Sequence, residues 1–210
     1  AGPLDIVFMD QDLLVLNKPS GLLSVPGRGE EKQDSLVSRV LNEFPEALVV
    51  HRLDMETSGL IIIARNPETR RALGRAFEKR EVDKTYVAVV TGKIEPANGL
   101  IDLPLICDWP NRPRQMVDHS NGKPSVTRYR TLDYLGNNHT SRIELKPETG
   151  RSHQLRVHLQ SIGHPILGDA LYADDRVLRQ APRLQLHATS LRFTHPTSKN
   201  LLQLESRPPF

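Results

Sequence analysis

The chain has 210 residues, 25% of them charged and 38% hydrophobic, with a formal net charge of +3. That length buries a core unaided, and the single cysteine, Cys107, excludes an intramolecular disulfide and any cysteine-based zinc cluster. The longest apolar runs, about five residues, fall far short of the ~20 that span a bilayer, and no leader pattern is visible at the start. A cytoplasmic protein with no membrane partner is the expectation.

Taken in order, Ile6–Met9 and Leu13–Leu16 flank Asp10-Gln-Asp12 and read as a β-hairpin. Asn17-Lys-Pro-Ser-Gly21 then breaks the strand. Asp34-Ser35 offers a helix cap to a segment whose Leu36, Val37, Val40, Leu41 and Phe44 recur at helical spacing, ended by Pro45. The densest stretch follows: His51-Arg-Leu-Asp-Met-Glu-Thr-Ser-Gly-Leu60, running into the apolar Leu60-Ile-Ile-Ile-Ala64. The apolar part reads as a buried strand, which fixes one end of the loop holding Asp54. Arg52 beside it favours the ionised carboxylate. Such an Asp can serve as nucleophile, general base or metal ligand, or it can cap the Thr57-Ser58 turn.

Asn66-Pro67 starts a helix with Leu73, Ala76 and Phe77 on its apolar stripe. Its Arg70, Arg71, Arg75, Lys79 and Arg80 read as a solvated face or a nucleic-acid contact. Lys84–Thr91 alternates as a strand, with Tyr86, Ala88 and Val90 on one side; Tyr86 is a core aromatic or a stacking platform. Residues 102–124, with four Pro, Trp109 and two Arg, form a long irregular connection read as an ordered binding loop. Strands follow near Val126–Asp133 and Arg142–Lys146, joined by a turn at Gly136-Asn-Asn138. Gly150-Arg-Ser-His-Gln-Leu-Arg-Val-His158 then begins a helix for which Ser152 is the expected cap, with Gly163 just past its end. Leu184–Thr189, Leu191–Thr194 and Leu201–Leu204 read as three short strands.

Charge is distributed unevenly. Residues 1–50 carry eight acidic groups and four basic ones, whereas residues 111–160 carry nine Lys/Arg and four Asp/Glu. The second segment suits a polyanion such as nucleic acid, or a solvated basic face. No second carboxylate motif accompanies Asp54, and no His/Cys cluster or dinucleotide fingerprint is present. A lone loop Asp, Arg156, Tyr86 and a basic surface suit metal-free chemistry at a glycosidic carbon of structured RNA, where a base must be flipped out to be reached.

The residues also carry a resemblance. His51–Leu60 closely resembles the signature of the RluA-type pseudouridine synthases. Asn17-Lys-Pro-Ser-Gly-Leu22, Lys84-Thr-Tyr86, Gly150–His158 and Gly163-His-Pro-Ile-Leu-Gly-Asp169 resemble its further blocks in the same order. Leu103–Pro113 resembles a subgroup acting on both ribosomal and transfer RNA. The resemblance implies an α+β fold: a mixed, mainly antiparallel sheet with flanking helices and a central RNA-binding cleft. It implies an isomerase without cofactor or metal, whose RNA partners are stem-loops of 23S ribosomal RNA and tRNA anticodon arms, and no protein partner. Asp54 would be the nucleophile, attacking C1′ of the ribose or C6 of the base. Arg52 would enter the RNA and hold the flipped base, Tyr86 would pack on that base and assist proton removal, and Arg156 would pair with Asp54. His51, Thr57 and Ser58 would support the loop. The chain opens in the first catalytic hairpin, so residues 1–210 are expected as one catalytic domain without the N-terminal S4-like domain of many members. A non-catalytic RNA-binding module and an Asp-dependent phosphotransferase are the rival readings; the second lacks the further acids that hold Mg²⁺.

Overall fold

The computed structural model describes residues 2–210, which fall into two compact units. The first comprises the described residues up to Lys84 together with His187–Pro209, and the second runs from Thr85 to Leu186 with Phe210. Both combine antiparallel strands with helices, the α+β organisation expected.

In the first unit, β1 (Asp5–Met9) and β2 (Leu13–Lys18) form the anticipated hairpin. Its turn closes because Asp10 Oδ1 accepts the backbone N–H groups of Asp12 (2.8 Å) and Leu13 (2.9 Å). Helix α1 (Leu36–Glu43) is capped by Ser35, and Ser38 returns the bond to the Ser35 N–H. The short β3 (Leu48–Val49) and the hairpin strand β2 both pair antiparallel with β4 (Ser58–Ala64). Every residue of β4 is buried, which explains why its sequence is a continuous apolar run rather than an alternating one. Helix α2 (Pro67–Glu78) starts at Asn66, whose side chain accepts the Thr69 N–H.

At the far end of the chain lie β11 (Leu186–Thr194) and β12 (Leu201–Glu205), an antiparallel pair. Strand β11 runs parallel to β4, with His187 opposite Ser58 and Ala188 opposite Gly59. Here a glycine is required. Gly59 has φ +116°, and a Cβ on it would collide with the backbone of Ala188. Leu13, Val15, Leu60, Ile62, Leu73, Val82, Leu191 and Phe193 make the core of this unit, with Ala76 and Phe77 of α2 packed on it.

The second unit is built on an antiparallel sheet in the order β5 (Asp83–Thr91), β10 (Thr140–Pro147), β9 (Val126–Leu135), β6 (Asn98–Asp102). Ala88, Val90, Ile101, Ile143 and Leu145 from these strands meet Leu155 and Leu159 of α3 (Gln154–Ser161) in its core. A short helix, α4 (Asp175–Leu178), is capped by Asp174.

Three expectations need correction. Residues 102–124 are not irregular throughout: β7 (Leu105–Cys107) and β8 (Gln115–Val117) pair as a hairpin with a 3₁₀ turn at Trp109–Asn111. Ser152 does not cap α3. The cap position falls to His153, in the left-handed region at φ 53°, and Gln154 Oε1 instead accepts the Arg151 N–H. The segments expected as two strands near 184–194 are one continuous strand, β11.

Candidate active site

The loop bearing Asp54 is held from both sides by residues 18–24. Ser24 Oγ accepts the Leu53 N–H (3.0 Å) and donates to the Leu53 carbonyl (2.6 Å). The Met55 carbonyl accepts from the Gly21 N–H (2.9 Å) and from Lys18 Nζ (2.8 Å). Ser20 Oγ donates to the Glu56 carbonyl, and the Thr57 N–H closes the turn on the Asp54 carbonyl at 3.1 Å. Lys18 is the hub. Its side chain is buried, and the ammonium also donates to the carbonyls of Leu22 (2.6 Å) and Pro19 (2.9 Å). A buried ammonium is tolerated only where acceptors replace its water, and these three carbonyls do so.

Neighbouring side chains tie the same loop to the strands. His51 Nε2 accepts the Ile62 N–H at 2.9 Å, and its ring stacks on Phe77 at 4.5 Å. Desolvation, with the Lys84 charge adding to it, pushes the His51 pKa down to about 3. The imidazole is therefore neutral at physiological pH and remains an acceptor. Ser58 Oγ and His187 Nδ1 lie 2.7 Å apart, and His187 Nε2 meets Ser206 Oγ at 2.9 Å. Arg52 is exposed and Asp54 half-buried on this loop.

The other two expected residues belong to the second unit. Tyr86, half-buried, lies opposite Leu145 on β5 and packs on the core beside Ala88 and Val90. Arg156 lies on α3, a helix buried from Gln154 to Leu159. Such a helix must satisfy its polar residues internally, and it does. Gln154 donates to the Val126 carbonyl and Thr127 Oγ1; His158 donates through Nε2 to the Leu103 carbonyl and faces Thr127 Oγ1 through Nδ1. Burial pushes the His158 pKa down, against the opposing Leu103 carbonyl and Asp102. Arg156 donates Nε to Asp169 Oδ2 (2.9 Å) and Nη2 to Asp169 Oδ1 (2.6 Å), a two-pronged fork between buried side chains. Asp169 Oδ1 also accepts the N–H groups of Leu171 and Tyr172. The Arg156 guanidinium sits 5.2 Å over the Tyr172 ring, and the Tyr172 hydroxyl meets His153 Nδ1 (2.6 Å) and accepts the Gln115 N–H (2.9 Å).

Arg52 and Asp54 thus share one loop, while Tyr86 and Arg156 stand on the sheet and the buried helix of the second unit. The sequence reading missed Lys18, Ser20 and Ser24 as the frame of the loop, and Asp169 and Tyr172 as the frame of Arg156. Lys18 stands in Asn17–Leu22 and Asp169 ends Gly163–Asp169, but nothing local in either segment reveals that these charges are buried. It also missed a cluster. Asp10, Asp12 and His195 come close enough together to share a cation. In the structure His195 Nδ1 accepts the Thr197 and Ser198 N–H groups, leaving Nε2 to donate to Asp10 Oδ2 at 2.7 Å. That arrangement ties two turns together by hydrogen bonds. Burial works against the charge on Asp10, but the Asp12 and Leu13 N–H groups and His195 outweigh it and hold the carboxyl below its usual range.

The basic segment is partly neutralised on the surface, since Arg128 pairs with Glu148 and Arg130 with Glu144. No helix among the described residues is long and apolar enough to cross a membrane.

A family model described as RNA pseudouridylate synthase matches residues 12–161. The dual-specificity RNA pseudouridine synthase RluA of Salmonella typhi is 54% identical over 197 residues, covering 94% of this chain and 90% of that protein. The protein of the same name from Escherichia coli (strain K12) is 53% identical over 203 residues, covering 97% and 92%. Among solved structures, human RNA pseudouridylate synthase domain containing 1 superposes with a TM-score of 0.82 at 30% identity, over 99% of this chain and 84% of that one.

Proposed function

The chain belongs to the RNA pseudouridylate synthase family, and from that premise we propose that it isomerises specific uridines in stem-loops of 23S ribosomal RNA and in tRNA anticodon arms. The observation that carries the reading to particular residues is the pinned loop. Backbone groups on both sides of Asp54 are held by Ser24, Lys18 and Gly21, so the residue is presented on a pinned loop that leads into the buried strand β4. Preorganisation of that kind is what a nucleophile needs to meet a base drawn out of an RNA loop.

In this reading Asp54 attacks C1′ of the ribose or C6 of the base. The C1′–N1 bond breaks with its electron pair left on N1, the uracil turns, C5 bonds to C1′ and the bond to Asp54 is released, N1 takes up a proton from water, and the C5 proton leaves. Tyr86 packs on the turned base and assists that last proton transfer. Arg52, exposed beside Asp54, enters the RNA and keeps the base out of its stack. Arg156, oriented by the Asp169 fork, is the cation assigned to the Asp54 charge. The two units serve one catalytic function, and the reaction belongs in the cytoplasm, where bacterial ribosomal and transfer RNA reside. The names of the relatives support two classes of RNA target, since both are called dual-specificity enzymes.

The test uses an unmodified anticodon stem-loop and an unmodified 23S hairpin, each incubated with the protein and digested to nucleosides. Pseudouridine is expected from both. Asp54→Asn is expected to bind either RNA within about threefold of the parent and to form no product. Loss of binding in parallel with activity would reassign Asp54 to a structural role, and absence of product from both RNAs with the parent protein would overturn the substrate assignment.

A further inference from the structure

Of the large hydrophobic residues, Trp109 is the most exposed, at 64%. It stands at the tip of the β7–β8 hairpin, and the tip is rigid. The Asp108 N–H donates to the Arg114 carbonyl (2.9 Å), the Asn111 N–H to the Asp108 carbonyl (2.9 Å), and the Arg114 N–H to the Asn111 carbonyl (3.0 Å). The guanidinium of Arg112 lies 4.7 Å over the indole ring. At its base the hairpin is fastened to the segment that carries Arg156. Leu105 and Val117 pack with Val157 and Tyr172, and the Tyr172 hydroxyl accepts the Gln115 N–H. An indole held in water by an ordered turn, with an arginine layered on it and Arg114 close by in sequence, presents a flat aromatic face next to positive charge.

We infer that Trp109 and Arg112 form a stacking platform for an unpaired nucleobase of the substrate RNA, at a place other than the uridine that reacts. This rests on the proposed RNA pseudouridine synthase reading and adds to it a second, specificity-determining contact. The occupant is an unpaired base rather than a duplex, because a paired base offers no free face to an indole. It is a nucleic acid rather than an apolar protein surface, because the arginine on the ring and its neighbour meet phosphate while the ring meets the base. A stem-loop supplies both in one turn.

Trp109 is the chain's only tryptophan, so its fluorescence reports the contact directly. Titration with an anticodon stem-loop is expected to quench its emission and shield it from acrylamide, whereas a fully paired duplex of equal length leaves both unchanged. Trp109→Ala is expected to raise KM for the stem-loop by about 5- to 150-fold, the range for loss of one base–aromatic stack. Its kcat should stay within about threefold, and Trp109→Phe should recover most of the loss. Circular dichroism establishes that the variants fold. Equal quenching by duplex and stem-loop, or an unchanged KM in Trp109→Ala while the parent protein makes pseudouridine, overturns the platform and leaves the enzymatic reading standing. An indole that RNA does not shield but a protein partner does would make the tip a protein contact, again overturning the inference. If the parent protein makes no pseudouridine, the reading beneath the inference fails first.

Discussion

Replacing Asp169 by Asn tests the frame around Arg156 with the least change of shape. Both side chains are buried, and the carboxylate takes two prongs of the guanidinium as well as the Leu171 and Tyr172 N–H groups. Asn retains an oxygen that can serve the two backbone donors, so the turn survives. What disappears is the negative charge and one acceptor of the fork. Breaking a buried ion pair by removing one of its two charges costs about 3–5 kcal/mol. For a domain whose stability is roughly 5–15 kcal/mol, that is a large share. With a urea m value of about 2 kcal/mol/M, the unfolding midpoint should fall by about 1.5–2.5 M. The double variant Arg156→Met/Asp169→Asn removes the buried cation as well and should regain part of the loss, although it should be inactive in the proposed mechanism. A midpoint within about 0.5 M of the parent for Asp169→Asn, or a double variant no more stable than the single one, would refute the view that buried charge pairing orients Arg156.

Two further predictions concern the Asp54 loop. His51 stays neutral in the folded protein down to about pH 3, whereas the unfolded chain takes up its proton below the ordinary value of 6.5. Its contribution is therefore complete above pH 6.5 and is lost as pH falls toward 3, amounting to about 2 kcal/mol between pH 7.5 and pH 5. His158 adds in the same direction, and the lowered Asp10 carboxyl acts only near and below 3.8. In His51→Gln, which keeps an acceptor for the Ile62 N–H, the urea midpoint should depend on pH less steeply than in the parent; identical slopes would count against the assignment. Lys18→Met leaves the carbonyls of Pro19, Leu22 and Met55 without their shared donor. It should lower the melting temperature by several degrees and kcat at least about tenfold, with RNA affinity within about threefold. An unchanged kcat in a destabilised variant would show that the clamp serves stability alone.

Much of the fold is legible where the governing interactions are local. Ser35 and Asn66 announce their helices because a cap is a bond across three residues, and Asp10 announces its turn for the same reason. The β4 strand and the loop before it are read from an apolar run and a dense polar turn. What escaped depends on partners distant in the chain. His195 finds Asp10 across 185 residues, and the sequence near either gives no sign of it. The hairpin inside 102–124 is masked by its prolines and held by Tyr172 and α3 rather than by strand propensity. At α3 the chain turns through the left-handed region at His153, φ 53°, so the helix begins one residue beyond the start that Ser152 would cap. The apparent break near Ser190 disappears because β12 pairs along Ser190–Thr194 while β4 holds His187 and Ala188. The candidate site divides the same way: Asp54 and Arg52 stand in one recognisable loop, whereas the burial that makes Lys18 and Asp169 matter is a property of the folded chain.

The parallel pairing of β4 with β11 has a bearing on how the protein is made. Strand β4 is translated early, yet its neighbour at His187–Ala188 emerges only after all of residues 85–186 have been added. At bacterial and eukaryotic synthesis rates of roughly 5–20 residues per second, that interval is about 5–20 s. Until then Gly59 has no strand to press against, and Ser58 has no His187 to bond. The seating of Ser58 and Gly59 against β11 is thus completed only near the end of synthesis, whereas residues 18–24, which hold the Asp54 loop itself, are already made when that loop emerges.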